Sequence, residues 1–168
     1  VGRPAPELLK DLGRKLGQLD RALANFDHAA IHRDFHWDLR NGLRVIREYA
    51  PLVADDGLRK LVFEQAEAFE RDRMPLLSKL RQSAIHNDAN DYNILVDDAD
   101  LYKNNRRVVG LIDFGDMVHS FTVADLAVAI AYAVLDKPDP LATAAHIVSG
   151  YHEENPINDD EIAARNAA

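Results

Sequence analysis

Apolar residues recur at three- and four-residue steps along the first part of the chain, as they do on one face of an α-helix. In the first such stretch they are Leu8, Leu9, Leu12, Leu16, Leu19, Leu23 and Phe26. This pattern predicts a helix from about Pro6 to Asn25, with prolines at its start, where they are tolerated. Gly13 and Gly17 lie on one face of the helix, where they either allow close packing or weaken the helix.

The same period predicts that most of the remaining chain is helical. After a loop over about 28–37, Asp38 is expected to cap a second helix that runs to about Tyr49. A third helix is expected from about Asp56 to Arg81, with Pro75 either kinking it or dividing it in two. A further helix is expected over about 122–135. Another follows the prolines at 138 and 140 and runs to about 152, and a last helix begins at about 158.

Short β-branched runs interrupt the helical pattern in the middle of the chain. Ala84-Ile85-His86 is short and apolar, and the runs 94–96 and 108–112 have the composition of strands. The polar stretch from Asp97 to Arg107 separates the last two runs, which predicts a hairpin with a long loop. The predicted fold is therefore α+β and mostly helical, with one small β-hairpin at its centre.

Length, composition and charge limit the classes of protein to which this chain can belong. The chain has 168 residues, 47% of them hydrophobic, a formal net charge of −8 and no cysteine. We expect a single domain over residues 1–168, with no spanning segment and no signal peptide. Binding to nucleic acid or to an anionic membrane is disfavoured, because both need clustered cations. The lack of cysteine fits a reducing, cytoplasmic location.

Polar clusters flank the predicted hairpin. One is the segment 86–93, in which Asn93 follows Asp88 by five residues, and the other is Ile112-Asp113-Phe114-Gly115-Asp116. Because a hairpin brings its outer ends side by side, we expect Asn93 and Asp113 to lie close together. An amide oxygen and a carboxylate suit a hard cation such as Mg²⁺, which completes its shell with phosphate and water. Asp88 is then left to orient an attacking hydroxyl group or to accept its proton.

Phosphoryl transfer requires these separate roles. The kinase template supplies them with a loop Asp, an Asn five residues later, and an Asp-Phe-Gly after a hairpin. With Asp125-Leu126-Ala127, these motifs resemble the aminoglycoside phosphotransferase and choline kinase-like family. Within it they are most similar to the hydroxylysine kinase and homoserine kinase-like branch. The stretch from Trp37-Asp38-Leu39 to Gly150-Tyr151-His152 adds to the likeness. The resemblance covers nearly the whole chain, but only the C-terminal catalytic lobe of the family's fold.

The resemblance implies a role for each matching residue. Asp88 would be the catalytic base, and Asn93 and Asp113 would hold Mg²⁺, with ATP or GTP as the phosphoryl donor. His86 and Asp125 would support the catalytic loop structurally. Candidate contacts to substrate or to a second metal are Asp116, His119, Asp91 and Trp37. The family often has Gly at position 87, and we expect Asn there to be tolerated.

The resemblance also shows what the sequence does not contain. No Gly-rich loop followed by a strand Lys precedes the segment 86–93, and Gly13 and Gly17 fall in a helix. We therefore expect a catalytic lobe truncated on its N-terminal side, with truncation at the C-terminal end left open. Such a lobe would bind nucleotide weakly without the missing nucleotide lobe, and it could form a homodimer through the exposed face. Its acceptor would be hydroxylysine, homoserine, choline or ethanolamine, or an aminoglycoside.

Other interpretations of these residues remain open. A metal-dependent phosphohydrolase could use His86, Asp88, Asp113, Asp116 and His119. Alternatively, the chain could be a non-catalytic interaction module. Two further motifs are rejected. His32-Arg33-Asp34 has the catalytic triplet of protein kinases, but Leu39 stands where the metal-binding Asn is needed. His32 and His36 have zinc spacing, but no third ligand is evident.

Overall fold

The computed structural model describes residues 5–97 and 106–166, which are mostly helical. The helices are α1 (Pro6–Leu23), α2 (Gly42–Tyr49), α3 (Asp56–Asp72), α4 (Met74–Leu77), α5 (Thr122–Ala133), α6 (Pro140–Glu154) and α7 (Asp159–Asn166). The strands are β1 (Gln82–Ile85), β2 (Ile94–Val96), β3 (Val108–Leu111) and β4 (Val118–Phe121). Short 3₁₀ turns lie at Ala29–Ile31, Leu39–Asn41, Ala50–Leu52 and Phe114–Asp116. Within the described ranges, no helix is long and apolar enough to cross a membrane.

The helix expected from Asp56 to Arg81 is divided and ends early. The break falls at Arg73, between α3 and α4, with Pro75 in the first turn of the second piece. Proline fits there because that turn needs no donor, whereas further along a continuous helix its ring would clash with an earlier carbonyl group. The prediction of helix up to Arg81 was wrong, because the chain leaves α4 after Leu77 and enters β1.

The strands form two antiparallel pairs. The predicted hairpin is present as β2–β3, with Ile94 opposite Leu111 and a bulge after Leu95. The prediction of a single β-element was incomplete, since β1 pairs with β4, with Ile85 opposite Val118. Most of the predicted loop from Asp97 to Arg107, with its acidic cluster, lies outside the described residues.

Helices α1 and α6 pack so closely that their backbones nearly touch. A Cβ atom at Gly13 would lie 2.0 Å from the carbonyl oxygen of Ile147, and one at Gly150 would lie 1.9 Å from that of Lys10. Gly13 therefore permits close packing, which is the first of the two predicted alternatives. The core around this contact contains Leu9, Leu12, Leu16, Ala89, Val108, Leu126, Ala129, Ile147 and Tyr151. Because this core includes a residue of the 86–93 segment and one of β3, it fixes both polar clusters to the helices.

Candidate active site

The segment 86–93 forms a tight polar loop between β1 and β2, and the Asp88 carboxylate is held at its centre. The side-chain amide of Asn93 donates to the carbonyl oxygen of Asp88 at 2.9 Å and to its Oδ2 at 2.7 Å. The side-chain amide of Asn90 donates to Oδ1 at 2.8 Å. Each carboxylate oxygen therefore has an amide donor, and the orientation of this half-buried group is fixed by the loop itself.

The second cluster lies against the end of this loop. The backbone N–H of Ile112 donates to the carbonyl oxygen of Asn93 at 3.0 Å, which extends the β2–β3 pairing by one step. Asp113 follows directly, with a left-handed backbone at φ 62°. Its Oδ1 accepts a hydrogen bond from Gly115 N at 3.3 Å. The strand ends that carry Asn93 and Asp113 are thus adjacent, as the hairpin predicted.

The donor set at this edge fits a hard divalent cation. Asp113 offers an exposed carboxylate, and Asn93, whose Nδ2 is used on Asp88, keeps its side-chain oxygen for a ligand. Within the part of the chain that the structure describes, no three His, Asp or Glu side chains form a group that could hold a metal. Such a sparse oxygen site suits Mg²⁺, which binds few protein ligands and takes the rest from phosphates and water.

His86 ties the two clusters together. It is fully buried, its Nδ1 accepts from Asp88 N at 3.3 Å, and its Nε2 contacts the carbonyl oxygen of Ile112 at 2.9 Å. A carbonyl group can only accept, so Nε2 carries the proton and both ring nitrogens are occupied by backbone. The ring also meets Phe114 edge-on, with 4.7 Å between centroids. The structural role expected for His86 stays a prediction.

Asp125 lies beneath the start of the same loop. It projects from the first turn of α5, is fully buried, and accepts from Asn87 N at 2.7 Å and from His86 N at 3.2 Å. Burial raises the pKa of the Asp125 carboxyl, while these two N–H groups favour its ionised form. Asn87 itself has φ 68°, a conformation that glycine adopts freely and Asn tolerates. This backbone explains how Asn can stand where the family often has Gly.

The segment 33–40 holds the turn after Asp113 from the outside. Arg33 donates to the carbonyl oxygen of Gly115 at 2.7 Å and to that of Met117 at 3.2 Å. The Asp38 carboxylate is buried and accepts a hydrogen bond from the hydroxyl group of Ser120, in β4, at 2.6 Å. In the sequence, Arg33 belongs only to a rejected motif, and no periodicity indicates this contact. It depends on chain segments 82 residues apart.

The structure also places the residues of the two rejected motifs. Asp34 is exposed and accepts a hydrogen bond from Arg44 at 2.6 Å. His36 packs edge-on against Trp37 and Tyr49. Neither arrangement is a catalytic loop or a metal site.

The remaining candidates lie around the edge of the site. Trp37 contacts the loop through its carbonyl oxygen, which accepts a hydrogen bond from Asn87 Nδ2 at 3.4 Å, and the residue is 65% exposed. His119 is half-buried and stacks on His32, with 4.6 Å between centroids. Asp116 is half-buried in the turn after Asp113, and Asp91 is exposed in the turn before Asn93. Their roles as contacts to substrate or to a second metal stay predictions.

Comparison with known proteins shows the family of this chain. A family model described as the phosphotransferase enzyme family matches residues 2–162. The chain belongs to that family. This confirms the resemblance that the motifs indicated. Similar curated proteins are the hydroxylysine kinases of Mus musculus, 32% identical over 93% of the chain, and of Xenopus laevis, 31% identical over 93%. The chain spans 44% of the length of each of these phosphotransferase relatives.

A solved structure is similar in fold to this chain. It is amicoumacin kinase hAmiN in complex with AMP-PNP, Ca²⁺ and Ami, with a TM-score of 0.58 and 14% identity. The match covers 96% of this chain and 49% of that one. The mostly helical architecture with small antiparallel strand pairs is therefore that of a kinase-like phosphotransferase.

Proposed function

We propose that the protein is a small-molecule kinase that transfers the γ-phosphate of Mg²⁺-bound ATP or GTP to the hydroxyl group of a small hydroxylated amine. The observation that carries this proposal is the double hydrogen bond from Asn93 to Asp88, formed beside the strand end that presents Asp113. Hydroxylysine is the first candidate acceptor, because curated relatives are named hydroxylysine kinase. Homoserine, choline or ethanolamine and aminoglycosides follow.

Each of these residues has its own role in phosphoryl transfer. Asp88, held by two amide donors, orients the acceptor hydroxyl group and takes its proton. Asn93 and Asp113 would hold Mg²⁺ through their side-chain oxygens. The bound ion supplies positive charge that offsets the charge of the nucleotide phosphates. His86 and Asp125 keep the loop in place from below.

We further propose that this chain is the C-terminal catalytic lobe of the kinase, and that a nucleotide lobe covers the hairpin. The support is a group of exposed apolar side chains on and beside β2–β3: Tyr92, Leu95, Val96, Val109, Ile112 and Phe114. Contiguous exposed apolar residues are typical of a surface that another unit covers. The isolated chain should then bind nucleotide weakly. A homodimer through the same face stays a prediction.

The contacts of His86 weigh against the phosphohydrolase alternative. That mechanism needs His and Asp side chains to hold two metal ions that activate water. The Nδ1 and Nε2 atoms of His86 are both occupied by backbone groups, and its ring is fully buried. In the described residues no alternative group of three such ligands exists.

The test measures nucleoside diphosphate release by the full-length gene product that contains this chain. It is assayed with Mg²⁺, ATP or GTP, and a panel of amino alcohols, hydroxy amino acids and aminoglycosides. We expect release that depends on one class of acceptor, and a fall in kcat of about 10²–10⁴-fold in Asp88→Asn, because the amide cannot accept the proton. The matched control is Asp34→Asn, which alters the Asp of the rejected triplet and should keep kcat.

Each outcome of this assay bears on the proposal. Equal loss in the Asp34 and Asp88 variants would contradict the assignment of the base. Release of inorganic phosphate from esters without nucleotide would favour the phosphohydrolase. No turnover with any acceptor would favour the non-catalytic module.

A further inference from the structure

Gly115 lies at the centre of the turn that presents Asp113, between that carboxylate and the side chain of Arg33. The backbone N–H of Gly115 donates to Asp113 Oδ1 at 3.3 Å. Its carbonyl oxygen accepts a hydrogen bond from Arg33 Nη2 at 2.7 Å, and the same nitrogen donates to the carbonyl oxygen of Met117 at 3.2 Å. One glycine residue therefore links the Asp113 carboxylate to the Arg33 guanidinium group.

The turn has little support of its own. Asp113 and Gly115 are exposed, and the backbone of Asp113 is left-handed at φ 62°, a conformation that persists only where the surroundings impose it. The internal hydrogen bonds, from Gly115 N to Asp113 and from Met117 N to the carbonyl oxygen of Phe114, are both 3.3 Å long. The bond from Arg33 is much shorter and its donor is charged, so it is the stronger constraint on the turn.

Arg33 is itself held in place by the core beneath it. Its guanidinium group lies over the ring of Phe35, with 4.2 Å from its central carbon atom to the ring centroid. Phe35 packs against the buried cluster of Ile85, Val118 and Ala124. Because Ile85 ends β1 and Val118 begins β4, the same cluster anchors Arg33 and the strands on either side of the site.

The backbone that carries Arg33 is also fixed. Asp38, later in the segment 33–40, is buried and accepts a hydrogen bond from the hydroxyl group of Ser120 at 2.6 Å. It also accepts from the backbone N–H of Arg40 at 3.0 Å and from its Nε at 2.9 Å. With three donors, this buried carboxylate ties the segment firmly to β4.

We propose that Arg33 is a positioning residue of the metal site: it fixes Gly115, and through it the Asp113 carboxylate, in the orientation that receives Mg²⁺. The inference rests on the proposed function, in which Asp113 is a Mg²⁺ ligand. Arg33 acts through Gly115 and needs no contact with the ion or the reacting atoms. Groups that orient a metal ligand in this way contribute strongly to metal affinity.

The chain offers matched variants for a test. Arg33→Met removes the donors and the charge but keeps a long side chain, and Arg33→Lys keeps the charge and one flexible donor. The control is Arg44→Met, which removes the same charge from a nearby exposed arginine that donates to Asp34 at 2.6 Å. All are made in the full-length gene product, and circular dichroism checks that each is folded. The rate is measured against Mg²⁺ concentration at fixed ATP, and the KM for the acceptor separately.

In Arg33→Met we expect the Mg²⁺ concentration for half-maximal rate to rise about 10-fold or more, because the ligand is no longer oriented. The KM for the acceptor should stay within about twofold. Arg33→Lys should shift the Mg²⁺ dependence by about threefold, since an ammonium group lacks the planar fork, and it carries the test if Arg33→Met does not fold. Arg44→Met should match the wild type.

A purely structural role for Arg33 would lower the unfolding temperature and leave the Mg²⁺ dependence of the folded enzyme unmoved. Equal Mg²⁺ dependence in Arg33→Met and wild type would therefore overturn the proposal. Equal shifts in Arg33→Met and Arg44→Met would overturn it as well, because the loss of one surface charge would then account for both.

A readout without turnover separates this inference from the proposed function. Binding of Mn²⁺ is followed by electron paramagnetic resonance in the presence of a non-hydrolysable ATP analogue, and Arg33→Met should bind Mn²⁺ about 10-fold or more weakly than the wild type. Weaker binding in Arg33→Met, in a protein that turns over no acceptor, would reject the kinase and retain the positioning role. Turnover with equal Mn²⁺ affinity in Arg33→Met and wild type would reject the positioning role and retain the kinase.

Discussion

At the residue scale, the site depends on backbone conformations that most side chains avoid. Asn87, which precedes the proposed base Asp88, has φ 68°, and Asp113, a proposed Mg²⁺ ligand, has φ 62°. Such conformations cost free energy and persist only where the surroundings impose them. For Asn87 the hydrogen bond from its N–H to Asp125 does so. For Asp113 the bond to Gly115 N turns the chain so that the carboxylate is presented outward.

Position 87 gives a direct test of this strain. We expect Asn87→Gly to stay within about 1 kcal/mol of the wild type in unfolding free energy, because glycine adopts positive φ freely. Asn87→Val should be less stable than Asn87→Gly by about 2 kcal/mol, because a β-branched residue is strained there. Urea unfolding measures both. Equal stability of the two variants would mean that the loop does not hold this conformation.

At the element scale, the close contact of α1 and α6 supports the core that positions the candidate site. The core around it includes Ala89 from the 86–93 loop and Val108 from β3. A third link is the backbone N–H of Val108, which donates to Asp11 of α1 at 2.7 Å. Any change that separates the two helices should therefore also loosen the polar clusters at the ends of the hairpin.

Gly13→Ala and Gly150→Ala should each lower the unfolding free energy by about 2 kcal/mol or more, despite the better helix propensity of alanine. The reason is that each added methyl group would lie about 2 Å from a backbone oxygen of the facing helix, at 2.0 and 1.9 Å. The matched control is Gly42→Ala, where no atom lies within 4 Å and φ is −53°. It should raise stability by about 0.4–1 kcal/mol. A neutral Gly13→Ala would show that the helices lie further apart.

Local patterns predicted the helices and the hairpin, but not the pairing of distant segments. The period of the leucines in α1 and the β-branched runs of β2 and β3 are each readable within a few residues. Strand β4 was missed because Ser120 occupies a buried position, opposite Ser83 of β1, and conceals the apolar alternation. Asp20 could have been found, since an acidic residue on the apolar face of an amphipathic helix signals a buried partner.

At the scale of the whole molecule, one chain of polar contacts joins α7 to Asp20 of α1. Glu161 of α7 binds Arg81, which donates to Asn155 at 3.1 Å, and Asn155 donates to the Tyr151 hydroxyl group at 3.0 Å. Tyr151 donates to Asp20, whose pKa is raised by burial and by the charge of Asp125. In a low-dielectric interior such groups depend on one another, so the protonation of Asp20 affects the stability of the whole fold.

Proton uptake on folding decides whether the unfolding free energy rises or falls with pH. The pKa of Asp20 is about 9 in the folded protein and near 3.8 when unfolded, so between these values folding binds a proton. The unfolding free energy should therefore fall as pH rises from about 5 to 9, by up to about 1.4 kcal/mol per pH unit. Asp27 and Glu153, whose pKa values are lowered by His32 and by Lys10 and Arg14, contribute stability that is lost only on acidification. Urea unfolding at fixed ionic strength measures the slope. Asp20→Asn should flatten it, and an equally steep slope in that variant would assign the proton to another group.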